Sequence, residues 1–153
     1  MSRRGRRLGR SQLIPLHVEP AMATAAIALP RSDADEIDSD FPRIAEVFEN
    51  RLHRNIPLGS DATLYYVKPL NYGLLTASDL RLDSPYNTRL HTGLPPTPIG
   101  NPGLASLRAA AHPAHVSYLF FVRKPGKSGA HAFSSSDAQF EKDVARYQRS
   151  RGK

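Results

Sequence analysis

The chain contains no cysteine among its 153 residues. That excludes a disulfide framework, a thiolate metal site and a cysteine nucleophile, and it leaves the cellular compartment open. No apolar run approaches the roughly 18 residues that a membrane span requires; the best candidate, Ala21 to Leu29, has nine residues. A phosphate-binding loop is missing too. Gly126-Lys127-Ser128 lacks the leading glycine and falls between two strand-like segments instead of before a helix. His112 and His115 flank Pro113 with no third ligand, so they read as solvated imidazoles at a helix end. No metal and no cofactor are expected.

The body of the chain also has little excess charge. The net charge is +7, but six arginines and one glutamate give residues 1–31 a charge of +5. The other 122 residues carry 15 basic and 13 acidic side chains. A domain that grips phosphate backbones carries its charge on its own surface, so nucleic acid is not an expected partner. The Arg-rich start looks like the n-region of a signal peptide, yet Leu13 to Pro20 is too interrupted to follow it. No clear targeting segment and no transmembrane span are read.

Hydrophobic residues make up 40% of the chain, enough for one domain with a core. Residues 1–38 keep neither a helical nor a strand period and are expected to be a basic, poorly ordered segment. At Ser39 the pattern changes. Ser39-Asp40-Phe41-Pro42 reads as a helix start with proline in the first turn, and Ile44, Val47, Phe48 and Leu52 recur at helical spacing. Asn55, Pro57 and Gly59 end that helix. Thr63 to Val67 is β-branched and aromatic, which suggests a strand, with a short helix as the alternative. Thr76 to Leu80 resembles a capped helical turn, and Gly103 to Ala111 reads as a helix. Val116 to Val122 is the strongest strand signal, forming a hairpin with Ala130 to Phe133 across a Pro-Gly turn. Ser136 with Gln139 forms a capping box for a last helix bearing Phe140, Val144 and Tyr147. The tail Arg149 to Lys153 is expected to fray. The fold class is α+β, a small sheet with surrounding helices.

Ser84-Pro85-Tyr86-Asn87-Thr88 and the stretch from Gly93 to Gly103 are dense in proline and glycine. Proline fixes φ and glycine opens φ > 0, so such a loop follows a stiff path. Long ordered loops inside compact domains commonly form binding walls. Asp61, Asn87, Thr88 and Asn101 offer short polar groups on or beside this loop, and Tyr65, Tyr86 and Tyr118 offer flat faces with a hydroxyl. Singly, each reads as a turn residue, as in an Asx-turn at Asn87 or Asp61. As a group they suit a carbohydrate, whose rings present an apolar face and a hydroxyl rim.

Five ordered blocks carry a resemblance: Arg43-Ile44-Ala45-x-Val47-Phe48-x-Asn50-Arg51-Leu52; Leu58-x-Ser60-Asp61-x-Thr63; Ser84-Pro85-Tyr86-Asn87-Thr88; Gly93-Leu94-Pro95-Pro96-x-Pro98-Ile99-x-Asn101-Pro102-Gly103; and Tyr118-Leu119-Phe120-Phe121-Val122. Over about residues 39–148 the chain resembles the endolytic murein transglycosylases, the YceG-like family once labelled aminodeoxychorismate lyase. The resemblance implies a bacterial lyase that cuts peptidoglycan glycan strands during cell wall assembly and leaves 1,6-anhydro-muramic acid ends. It implies an inner-membrane protein with an extracytoplasmic catalytic region, working beside cell-wall synthesis proteins. One glutamic acid protonates the glycosidic oxygen and the sugar's own 6-hydroxyl closes on the anomeric carbon, without water or metal. Residues 39–150 are then the C-terminal part of the catalytic domain, and Asp61, Tyr65, Tyr86, Asn87, Thr88 and Asn101 its substrate-binding residues.

The chain departs from the family before the helix at Phe41. The family's Ala-Ser-Ile-Val-Glu-x-Glu block should lie about a dozen residues before Ile44, where this chain reads Leu29-Pro30-Arg31-Ser32-Asp33. Glu36 is the nearest glutamate and the candidate acid; Glu19 is the next. Gly59, Ala62 and Thr97 replace the family's usual Gln, Pro and Gly. An N-terminally truncated or divergent member is expected. The alternative is a glycan-binding remnant that lacks the acid.

Overall fold

A computed structural model describes residues 39–68 and 75–151. The segment 1–38, with Glu36 and Glu19, lies outside the described residues. Helix α1 spans Phe41–His53 and has Pro42 in its first turn, where the missing N–H costs no intrahelical bond. Phe41, Ile44, Val47 and Phe48 are buried, following the period read from sequence. Asn55 leaves the helix at φ 53°, the left-handed conformation that asparagine tolerates.

Helix α2 spans Asp61–Val67, so the strand suggested for Thr63 to Val67 is instead the short helix. β-branched and aromatic residues favour a half-buried surface more than a particular backbone. Here Thr63 and Leu64 supply the buried face, the Thr63 hydroxyl donates back to the Ser60 carbonyl at 2.8 Å, and Asp61 sits at the positive end of the helix. A short 3-10 turn follows at Asp79–Arg81; the Thr76 hydroxyl accepts from the Asp79 N–H at 3.2 Å. Helix α3 spans Leu104–Ala111.

Strand β1, Phe120–Arg123, pairs antiparallel with β2, His131–Ser134, with Phe121 opposite Phe133 and Arg123 opposite His131. The strand expected from Val116 therefore starts four residues late. The Asn50 amide donates to the carbonyls of Val116 at 2.8 Å and Tyr118 at 3.1 Å, and Arg51 Nε donates to Leu119 at 2.6 Å. Three carbonyls of this stretch, those of Val116, Tyr118 and Leu119, are taken up by side chains of α1 and not by a strand ladder. Helix α4, Asp137–Arg151, closes the fold. The Ser136 hydroxyl accepts from the Gln139 N–H at 3.4 Å, and the tail expected to fray is helical through Arg151.

Phe41, Ile44, Phe48, Leu58 and Ala109 form the core, with Leu94, Ile99, Phe121 and Phe133 packed against it. Successive strand residues face opposite ways. Phe121 meets Phe48 of α1 edge-on at 5.9 Å, while Phe120 stacks on Phe140 of α4 at 5.0 Å. The hairpin is thus sandwiched between α1 and α4, an α+β arrangement. Among the described residues no helix is long and apolar enough to cross a membrane.

Candidate functional site

A groove of about 320 Å³ runs between α1, the Leu58 to Ala62 segment and β1. Arg51 lines it. The guanidinium donates from Nε to Leu119 and from one terminal nitrogen to the carbonyls of Pro57 at 2.8 Å and Leu58 at 3.2 Å. It lies 4.9 Å from the centre of the Phe120 ring, a cation–π arrangement. Burial pulls the Arg51 pKa down and the nearby Asp137 carboxylate opposes the shift; a guanidinium still stays charged at neutral pH. One cation therefore pins two backbone segments through three carbonyls and lies against the Phe120 ring.

A second depression continues from Arg51 and Phe120 to Arg89, Ser136 and Asp137. Arg89 forms an ion pair with Asp61 at the rim. Gly59 takes φ +64°, a conformation that side chains rarely adopt, and its N–H donates to the Thr88 carbonyl at 2.8 Å.

The candidate residues from the sequence fall into two groups. Asp61 lines the groove. Thr88 is 1% exposed and joins the groove wall to the loop: its hydroxyl accepts from the Ser60 N–H at 3.0 Å and lies 3.0 Å from the Thr63 hydroxyl. Asn87 is 0% exposed. Its amide donates to the carbonyls of Leu80 at 3.2 Å and Leu82 at 2.9 Å, and its oxygen accepts from the Arg89 N–H at 3.0 Å. That last bond is the Asx-turn read from sequence, and it places Arg89. Tyr86 stands further along, its hydroxyl 2.9 Å from that of Thr97. Tyr65 is half-buried on α2 and Asn101 is exposed just before α3; neither lines the two depressions. His112 and His115 are both exposed, as expected of solvated imidazoles.

Arg51, Arg89, Ser60 and Phe120 are site residues that the residue types alone did not single out. Arg51 reads as one more charge on the polar face of α1, and its burial depends on a strand nearly 70 positions away. Its signal was its place in the block Asn50-Arg51-Leu52. Among the described residues no group of three or more His, Asp or Glu is placed to hold a metal ion. Cationic, hydroxyl and aromatic groups together can bind a hydroxylated chain and hold it still.

The model of the YceG-like family matches residues 33–146. An endolytic murein transglycosylase of Bacillus subtilis is 38% identical over 109 residues, covering 71% of this chain and 30% of that protein. One of Streptococcus pneumoniae strain D39 is 34% identical over 84 residues, covering 52% of this chain and 15% of that protein. The crystal structure of a yceG-like protein from Listeria monocytogenes superposes with a TM-score of 0.65 at 33% identity, over 80% of this chain and 37% of that one. The chain thus spans less than a third of the length of these curated relatives. All five sequence blocks, and both walls of the groove, lie inside the matched residues: the chain belongs to the YceG-like family.

Proposed function

We propose that the chain acts on the glycan strands of peptidoglycan as a lytic transglycosylase, with residues 39–150 as the C-terminal part of its catalytic domain. The observation that carries this reading is that the residues that build the groove, Val47 to Phe140, lie inside the residues 33–146 matched by the YceG-like family, and a relative 38% identical is named endolytic murein transglycosylase. Arg51 and the Arg89–Asp61 pair give the groove fixed charges for amide and carboxylate groups, and Phe120 gives it an apolar floor. Asn87 and Thr88 hold its wall in place; Tyr65, Tyr86 and Asn101 extend the binding surface beyond it.

In this reading Glu36 is the acid. It lies inside the matched residues, five positions before α1 begins. It protonates the glycosidic oxygen, the bond to the anomeric carbon breaks, and the 6-hydroxyl of the same sugar closes on that carbon and yields its proton to the carboxylate. A 1,6-anhydro end results and no water is consumed, unlike the two-carboxylate hydrolases. An extracytoplasmic location beside the wall-synthesis machinery goes with this substrate.

The second reading, binding without cleavage, is favoured by one observation: Glu36 has none of the family's catalytic block around it. Incubating the protein with purified sacculi and searching the digest for anhydro-muropeptides separates the two. Their release by the wild-type chain and its loss in Glu36→Gln support cleavage. Their absence, with the protein still sedimenting with sacculi, supports binding alone.

A further inference from the structure

We infer that Tyr66 and Tyr86 form a stacking platform for one sugar ring at the far end of the groove wall; this rests on the proposed glycan reading. The α2 helix and the loop that follows Ser84 are zipped together by three contacts. Asp61 pairs with Arg89, Thr63 meets Thr88, and Tyr66 meets Tyr86 with ring centres 5.0 Å apart and planes tilted by 44°. The first contact lies at the groove, the second is buried, and the third opens to solvent, where Tyr66 is 52% exposed. Tyr66 is one helical turn beyond Ala62, which lines the groove, so the platform stands about 6 Å further along the same face.

The chemistry of this surface selects its occupant. Two tilted rings present a wedge of apolar faces, while the Tyr86 hydroxyl is tied to Thr97 and keeps a polar edge beside it. A pyranose carries the complementary pattern, C–H groups on its face and hydroxyls at its rim. Tyr66 is exposed and Tyr86 half-buried, and they share the wall with the Asp61–Arg89 ion pair and the Thr97 hydroxyl, a mixed surface that does not suit a lipid tail. The Pro-rich loop fixes the Tyr86 backbone before a ligand arrives, so little ordering entropy is lost on binding.

Peptide-free glycan strands released from sacculi by an amidase are the probe, with binding to the full chain followed by calorimetry. Tyr66→Ala and Tyr66→Leu should each weaken binding about two- to tenfold, and Tyr66→Trp should restore it. Unchanged affinity in Tyr66→Ala and Tyr66→Leu, with the wild-type chain binding, overturns the platform and leaves the glycan reading intact. A wild-type chain that does not bind the strands overturns both. If Tyr66→Ala alters only the sedimentation of the chain with itself, the pair is a self-association contact and the platform is again overturned.

Discussion

The Asp40 carboxylate accepts a hydrogen bond from the His131 backbone N–H at 2.7 Å, joining the start of α1 to the start of β2 across 91 positions of sequence. Asp40 is 4% exposed, and its second oxygen takes a long contact from Arg43 at 3.4 Å. The His131 ring stands against the same carboxylate, with Nδ1 3.4 Å from it but without a hydrogen bond of good geometry.

Asp40→Ala removes a charged acceptor and strands a donor on β2. Hydrogen bonds to charged groups contribute about 1.5–3 kcal/mol, so denaturant unfolding should register a loss in that range. Asp40→Asn, which keeps an acceptor oxygen, should lose less.

Burial lowers the His131 pKa, and the Asp40 carboxylate only partly offsets it. The unfolded chain therefore binds a proton at higher pH than the folded one. Stability should fall as the pH drops from about 6.5, the ordinary histidine value, down to the lower folded value, and His131 should add no further slope below that. His131→Phe should flatten the slope in this window.

The Asp79 carboxylate is held down to about 2 by the Lys68 ammonium and by the backbone and side chain of Thr76. A carboxyl NMR titration should find it ionised well below its neighbours. Lys68→Met should move its midpoint up toward the ordinary carboxylate range.

Thr88→Val keeps the shape but leaves the Ser60 N–H without its acceptor in the groove wall. A buried donor left unsatisfied costs about 1–3 kcal/mol. Because Thr63 shares the site, Thr63→Val and Thr88→Val together should cost less than the two single losses added.

Arg51→Lys keeps the charge and loses the fork. A lysine cannot reach Leu119, Pro57 and Leu58 at once or lie flat over Phe120. Thermal unfolding should record destabilisation of about 2 kcal/mol or more, accompanied by weaker binding of glycan strands.

Much of this fold is legible in local sequence. Pro42 and the spacing of Ile44, Val47, Phe48 and Leu52 mark α1, and Ser136 marks the start of α4. What was not legible depends on distant partners. Thr63 to Val67 carries strand-forming residues, but Thr88 and the buried position of Leu64 make it helical. Residues 116–119 read as strand because nothing local reveals that Asn50 and Arg51 take up the carbonyls of Val116, Tyr118 and Leu119. The polar cluster around Asn87 was visible as a group, whereas its division into wall-holding and surface-facing members follows only from burial. Arg51 was hidden for the opposite reason, since an arginine on a helix is ordinarily a solvated one.

Titrating the isotopically labelled chain with peptide-free glycan strands and mapping the backbone amide shifts tests the groove most directly. The largest shifts should fall at Arg51, Ser60, Asp61, Arg89 and Phe120. Shifts confined to α3 and the outer face of α4, or none at saturating strand concentration, would contradict it.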